Sequence, residues 1–326
     1  MSGRQLISPR ADMSIAGVDM SSQTTDTAAC VLTIEGETLV ATAYPKVDDT
    51  ELRAAMQAPN VFVGIDAPFG WPAPFAAFAA AWSGRSGRHV PPWAELDHRS
   101  WREVAEALKF RATDRFVRLY LRAQHVCGDN CPSRWPDGFS VSADKLALPA
   151  LRTMRLLAAA NIVDITGETA NVVEVYPGPA LAAWHLSGEG YKGTRRREGK
   201  DTPAFTQRKT AAHWLVDQLR TAAPFDVNAD SLDLLEEQAA ESDHNLDALV
   251  CALTAWAAKV GHTHTSTGEQ FNAFWTSRLE RSGGRSEADL RQLVGDLRGP
   301  TEVVAEEGWI HHPRSEPNSF LAQVPR

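Results

Sequence analysis

Residues 61–72 read "VFVGIDAPFGWP", an apolar run that ends on an acid, Asp66, and meets prolines and a glycine at once. A short β-branched and aromatic run bounded in this way is the mark of a buried strand. The prolines at 68, 72 and 74 oppose immediate helix continuation, and "PFAAFAAAW" at 74–82 supplies a packed helix afterwards. An earlier segment, "SIAGVD" at 14–19, ends in nearly the same way on Asp19.

Between these two runs, "TAACVLTIEGETLVATAYP" at 27–45 is interrupted by polar residues from Glu35 to Glu37, which separates two antiparallel strands. "NVVEVYP" at 171–177 adds another short strand, with Glu174 as its unusual member. Helical patterns lie between and after these runs. The expected class is therefore α/β, a mixed sheet flanked by helices. The firmest helix is "HNLDALVCALTAWAAKVG" at 244–261, where Leu246, Leu249, Val250 and Leu253 form a packing stripe. Asn245 is a candidate cap there, and Asp247 reads either as helix-terminal stabilisation or as part of a site shared with His244, three residues before it.

Length and composition bound the function. The 326 residues, 43% of them hydrophobic, suffice for one large body or two associated domains. A formal charge of −8 offers no global attraction to nucleic acid, so such a role needs a local surface. With no apolar run fit for a signal or a membrane span, a soluble, cytoplasmic protein is expected, without a membrane partner. Four cysteines without a CxxC pair make no disulfide scaffold. "HVCGDNC" groups His125, Cys127 and Cys131, either as an ordinary loop or as an incomplete zinc site.

Two basic features stand out. In a helix expected over 99–122, Arg111, Arg115, Arg118 and Arg122 recur on one face, as a solvated stripe or as guidance for phosphate. Positions 192–209 hold seven Lys or Arg against two acids, in a loop that either binds a phosphate backbone or is simply exposed. Glu174 likewise has two readings, a metal-facing carboxylate or the partner of a basic residue. Asp19 and Asp66 at neighbouring strand ends, Asp247 from a helix packed on the sheet, and Glu174 or His244 completing the set would make a hard oxygen site for divalent cations.

The segments "SIAGVDMSS", "VFVGIDAPFGWP", "RATDRFVR", "VVEVYPGPALAAW" and "HNLDALVCALTAWAA" are similar to successive motifs of the family known as domain of unknown function 429. That family is predicted to have a ribonuclease H-like fold and is discussed as a nuclease. The resemblance covers most of residues 14–261, with a return at "EGWIHHP" over 307–313. It implies a ribonuclease H-like core over 14–261 with family-specific helical insertions, an accessory helical insertion at 262–300, and a return strand or tail at 301–326.

In ribonuclease H-like proteins, acids on the first strand, on a later central strand and on a C-terminal helix carry metal-dependent phosphodiester chemistry. Asp19, Asp66 and Asp247 match those roles. The last segment also resembles Holliday-junction resolvases, where an acid or histidine precedes the helix aspartate by three positions, and His244 stands there. The resemblance thus implies hydrolysis of DNA or RNA with Mg²⁺ or Mn²⁺ held by Asp19, Asp66, Asp247 and Glu174. His244 would place water or the leaving group, and Arg111 and Lys192 would contact phosphate. Two other functions compete: a non-catalytic nucleic-acid-binding or assembly protein, and an actin-like phosphotransferase or nucleotide hydrolase. Against the last, the sequence holds no second copy of the fold and no pair of glycine-rich phosphate loops.

Overall fold

The computed structural model describes residues 6–7, 11–82, 104–105, 107–121, 146–197, 200–221, 224–277 and 286–323. The His125, Cys127 and Cys131 group and the ends of the 99–122 segment lie outside them.

The opening segments form strands β1 (Met13–Asp19), β2 (Ala28–Glu35) and β3 (Thr38–Tyr44), an antiparallel meander whose second connection is the two-residue turn of Gly36 and Glu37. Gly36 takes φ 62° there, a left-handed conformation that costs glycine little. Helix α1 (Asp49–Gln57) follows, its start fixed by a capping box between Asp48 and Glu51. It returns the chain to β4 (Val61–Asp66), which lies parallel to β1. Helix α2 (Ala73–Trp82) begins after the proline turn.

The chain continues through a single helical turn α3 (Ala112–Arg115), a π-wound turn at Phe116–Leu121, α4 (Ala147–Ala159), β5 (Val172–Val175) and α5 (Pro177–Ala183). A small hairpin of β6 (Arg196–Arg197) and β7 (Lys200–Asp201) precedes α6 (Pro203–Thr221), β8 (Asp226–Val227), α7 (Ala229–Glu241) and α8 (Asp243–Lys259). The chain then forms α9 (Glu269–Thr276), α10 (Glu287–Leu293), α11 (Pro300–Glu307), β9 (Ile310–His311) and α12 (Pro317–Leu321). The seven-stranded sheet has the order β8-β3-β2-β1-β4-β5-β9, with β4, β5 and β9 each parallel to its neighbour. This is a mixed α/β architecture with helices flanking a sheet.

Both sheet faces are covered, and strand alternation divides the side chains between them. Ile15, Phe62, Val173 and Val175 meet α8, whereas Ala16, Val18, Val63 and Ile65 meet Leu52 and Met56 of α1 and Leu156 and Leu157 of α4. Every residue of α8 from Asn245 to Ala257 is buried, which explains its apolar composition. Its N-cap is Ser242, whose hydroxyl accepts the Asn245 N–H at 3.4 Å; Asn245, expected as the cap, lies inside the first turn and donates to the Gln238 carbonyl. A third cluster joins Phe116 and Val117 to Phe271, Phe274 and Trp275 of α9 and to Val303, Val304 and Trp309. No helix among the described residues is long and apolar enough to cross a membrane.

At the β9 edge, His311 is held neutral. Nε2 donates to the Thr166 carbonyl at 2.9 Å and Nδ1 accepts from the Thr263 hydroxyl at 3.0 Å. Burial lowers its pKa from 6.5 to about 4. Its contribution to stability is therefore complete above 6.5 and is lost as pH falls toward 4, because the unfolded chain takes the proton first. Urea unfolding should show a loss of about 3 kcal/mol from this residue across that window. His311→Gln should flatten the slope; an unchanged slope in the variant would exclude the assignment.

Candidate functional site

The parallel register of β1 and β4 pairs Asp19 with Asp66, so both carboxylates leave the sheet at the same end and on the same face. Two residues earlier the same register pairs Gly17 with Gly64. A Cβ on Gly17 would lie 2.0 Å from the Ala248 carbonyl oxygen, and one on Gly64 would lie 2.4 Å from that of Cys251. Only glycine lets the backbone of α8 rest directly on the strands here. That close seat brings Asp247 over the strand ends, and ligand oxygens of Asp19, Asp66 and Asp247 all lie within 4.8 Å of one another.

Such a group is costly to ionise. Burial raises the Asp66 pKa well above its usual 3.8, the charges of Asp19 and Asp247 add to this, and Lys192 opposes it. Burial likewise pushes Asp247 up to about 6 against the pull of Lys192. Two cations answer the charge. The Lys192 ammonium stands 2.7 Å from Asp247 Oδ2, and that carboxylate drives its pKa further upward. His244 Nδ1 lies 2.5 Å from Asp19 Oδ2, and this hydrogen bond raises the imidazole to about 9, so it is protonated and donating at neutral pH. Asp247 Oδ1 accepts the Tyr191 hydroxyl at 2.7 Å, and Tyr191 itself is buried. Asp247 is thus held by the side chains of Tyr191 and Lys192.

The family described as "Protein of unknown function (DUF429)" matches residues 17–270. The chain belongs to the DUF429 family. No curated protein and no solved structure matches it. The matched span of this DUF429 chain contains all three aspartates together with His244, Tyr191 and Lys192, while β9 and the helices after residue 286 lie beyond it.

Two expected site residues go elsewhere in this DUF429 protein. Glu174 is in register with Ile65, one position off Asp66, so strand alternation turns its side chain toward the opposite face from the aspartates. There it meets Arg111: the guanidinium donates to Glu174 Oε1 at 2.6 Å and to Oε2 at 2.8 Å, and the Phe69 N–H donates to Oε2 at 2.9 Å. Arg111, expected to meet phosphate, is 1% exposed and also pairs with Asp114. The reason is local. The continuous helix expected over 99–122 breaks at Phe110 and Arg111, Arg111 becomes the N-cap of α3, and its N–H is accepted by Asp114 at 2.9 Å. Arg115 is buried as well, against Glu287, so neither of these two residues belongs to a solvated basic face.

The basic run at 192–209 is also partly consumed. Arg195 pairs with Glu241, and buried Arg208 donates to the carbonyls of Tyr191, Gly193, Ala240 and Glu241. Neither Tyr191 nor Arg208 was singled out by sequence pattern, though each left a signal. Tyr191 is the sole aromatic residue from Ser187 to Ala204, and Arg208 falls on the stripe of Phe205, Ala212, Leu215 and Leu219 that α6 buries.

Proposed function

We propose that this chain is a Mg²⁺- or Mn²⁺-dependent phosphodiester hydrolase of ribonuclease H-like fold, acting on DNA or RNA in the cytoplasm. The observation that carries this reading is the convergence of Asp19, Asp66 and Asp247 from two parallel strand ends and a crossing helix. An antiparallel meander continued by parallel strands, with the third acid delivered by a C-terminal helix, supports the fold assignment. In this reading residues 14–261 form the core, 262–300 are an accessory insertion whose helix α9 packs on the β9 side, and 301–326 are the return.

The donor set fits a hard divalent cation. Three carboxylates in close array repel one another, and the protein answers with Lys192 and His244, so the site calls for positive charge. When bound, the metal supplies Lewis-acid stabilisation of a phosphodiester and lowers the pKa of an attacking water. Asp19, Asp66 and Asp247 would hold it. Lys192, more than half exposed, leaves Asp247 and turns to a phosphate oxygen. The protonated His244 presents its imidazolium at the mouth of the cluster, where it serves the leaving oxygen. Glu174 and Arg111 take a supporting role, holding the Phe69 backbone that follows Asp66.

The test is a panel of single- and double-stranded DNA and RNA incubated with Mg²⁺ or Mn²⁺. Cleavage should require the metal, and Asp19→Asn should abolish it while the circular dichroism spectrum stays native. A folded wild-type protein without metal-dependent turnover on any member would defeat the proposal. A second reading, a non-catalytic nucleic-acid-binding scaffold, is favoured by the partial neutralisation of the cluster by Lys192 and His244. That reading gains if salt-sensitive binding persists in the absence of turnover.

A further inference from the structure

The two oxygens of Asp247 are held in different ways. Oδ1 accepts the hydroxyl of Tyr191, which is 2% exposed. Oδ2 meets the ammonium of Lys192, whose side chain is 59% exposed. The loop that carries both residues is fixed beneath them: Arg208 donates to the Tyr191 carbonyl at 2.9 Å and to the Gly193 carbonyl at 3.1 Å, and through Nε to the Ala240 carbonyl at 2.8 Å. Gly190 and Gly193, at φ 79° and 132°, give the loop a course that other residues adopt only with strain. A cation entering the cluster can therefore displace Lys192 by moving one exposed side chain. Displacing Tyr191 would require unpacking a buried ring on a pinned backbone.

We infer that Tyr191 is a specificity-determining positioning residue: it reserves one oxygen of Asp247, makes that carboxylate a one-oxygen ligand, and so disfavours Ca²⁺ relative to Mg²⁺ and Mn²⁺. This inference rests on the metal-centre reading above. His244 also donates to Asp19 Oδ2, but its side chain is half exposed and, like Lys192, can leave without unpacking the fold, so Tyr191 is the donor that is fixed in place. Ca²⁺ takes roughly 6–8 oxygens and readily uses both oxygens of a carboxylate, whereas Mg²⁺ takes a tight octahedron and retains several waters. A site of few, single protein oxygens suits the latter. Arg208 acts one step behind, as the residue that keeps Tyr191 in place.

The experiment is calorimetric titration of the full chain with Mn²⁺, Mg²⁺ and Ca²⁺, for wild type, Tyr191→Phe and Arg208→Lys. Tyr191→Phe deletes one hydroxyl and keeps the packed ring, and should raise Ca²⁺ affinity relative to Mn²⁺ by about tenfold or more. Arg208→Lys should shift the ratio the same way by less, because one ammonium cannot span the same carbonyls. A purely structural role for Tyr191 would weaken all three metals together. Wild-type protein that binds Mn²⁺ while the Ca²⁺ to Mn²⁺ ratio is unchanged in Tyr191→Phe would overturn the inference and leave the metal centre standing. Wild type that binds none of the three would overturn both.

Discussion

Asp66→Asn should make the metal-free protein more stable at pH 8 and at the same time remove its response to Mn²⁺ and its metal-dependent hydrolysis. The stabilising half follows from the direction of the shifts. Asp66 is raised well above its usual 3.8, first by burial and then by Asp19 and Asp247. A carboxyl raised in the folded state favours folding below its ordinary pKa, and that advantage is lost as pH rises through the folded value, about 6 in the case of Asp247. At pH 8 the cluster therefore works against the fold, and a neutral amide at position 66 relieves it.

Asp66 is the right position for this test. Lys192 is bonded to Asp247 and His244 to Asp19, so those cations keep their partners in the variant. The gain expected by urea unfolding in EDTA is about 1–2 kcal/mol, typical of relieving strain at a functional site. Mn²⁺ at a hundredfold excess over its dissociation constant should stabilise wild type by about 2.7 kcal/mol and the variant not at all. Turnover should fall by at least about three orders of magnitude, near 4 kcal/mol of transition-state stabilisation. A metal-free variant less stable than wild type at pH 8, still stabilised by Mn²⁺, would refute both halves.

The strands, with Asp19 and Asp66 at their ends, were legible in sequence because their causes are local, whereas Asp247 stayed open between a helix-terminal role and the site until the family resemblance was added. An apolar run ended by Asp and then by prolines can do little else than form a buried strand with its acid at the rim, and α8 is apolar enough to require burial on all sides. What escaped the sequence depends on register and on distant partners. Whether Glu174 joins the aspartates is decided by its pairing with Ile65, a one-residue matter that "NVVEVYP" alone does not fix. The four-residue rhythm of Arg111 and Arg115 matches a helix face, yet the chain breaks at Arg111 because Asp114, Glu174 and the Glu307 carbonyl converge on its guanidinium. Tyr191 sits in a segment whose composition announces a charged loop, and its role depends on Arg208 and Asp247, 17 and 56 residues away.

Arg111→Met should be among the most destabilising single substitutions in the chain, and its effect on the metal centre should be indirect, through the Phe69 backbone that Glu174 holds. The Arg111 guanidinium is the charged partner of Glu174, 3% exposed, and of Asp114, 9% exposed. Removing one member of a buried ion pair strands the other, which costs about 3–5 kcal/mol. Glu174 would retain the Phe69 N–H, and because burial already raises its pKa while Arg111 lowers it, losing Arg111 would let it neutralise. The penalty should therefore be larger at pH 8 than at pH 5. Arg111→Met combined with Glu174→Gln should recover more than about 2 kcal/mol relative to the sum of the single effects, a coupling measurable in a double-mutant cycle. Glu174→Gln alone should keep Mn²⁺ affinity within about threefold of wild type, since strand alternation turns that carboxylate away from Asp66. If Glu174→Gln instead abolished Mn²⁺ binding as Asp66→Asn does, Glu174 would be a metal ligand after all, and the separation of the two faces of β5 would not be what divides scaffold from site.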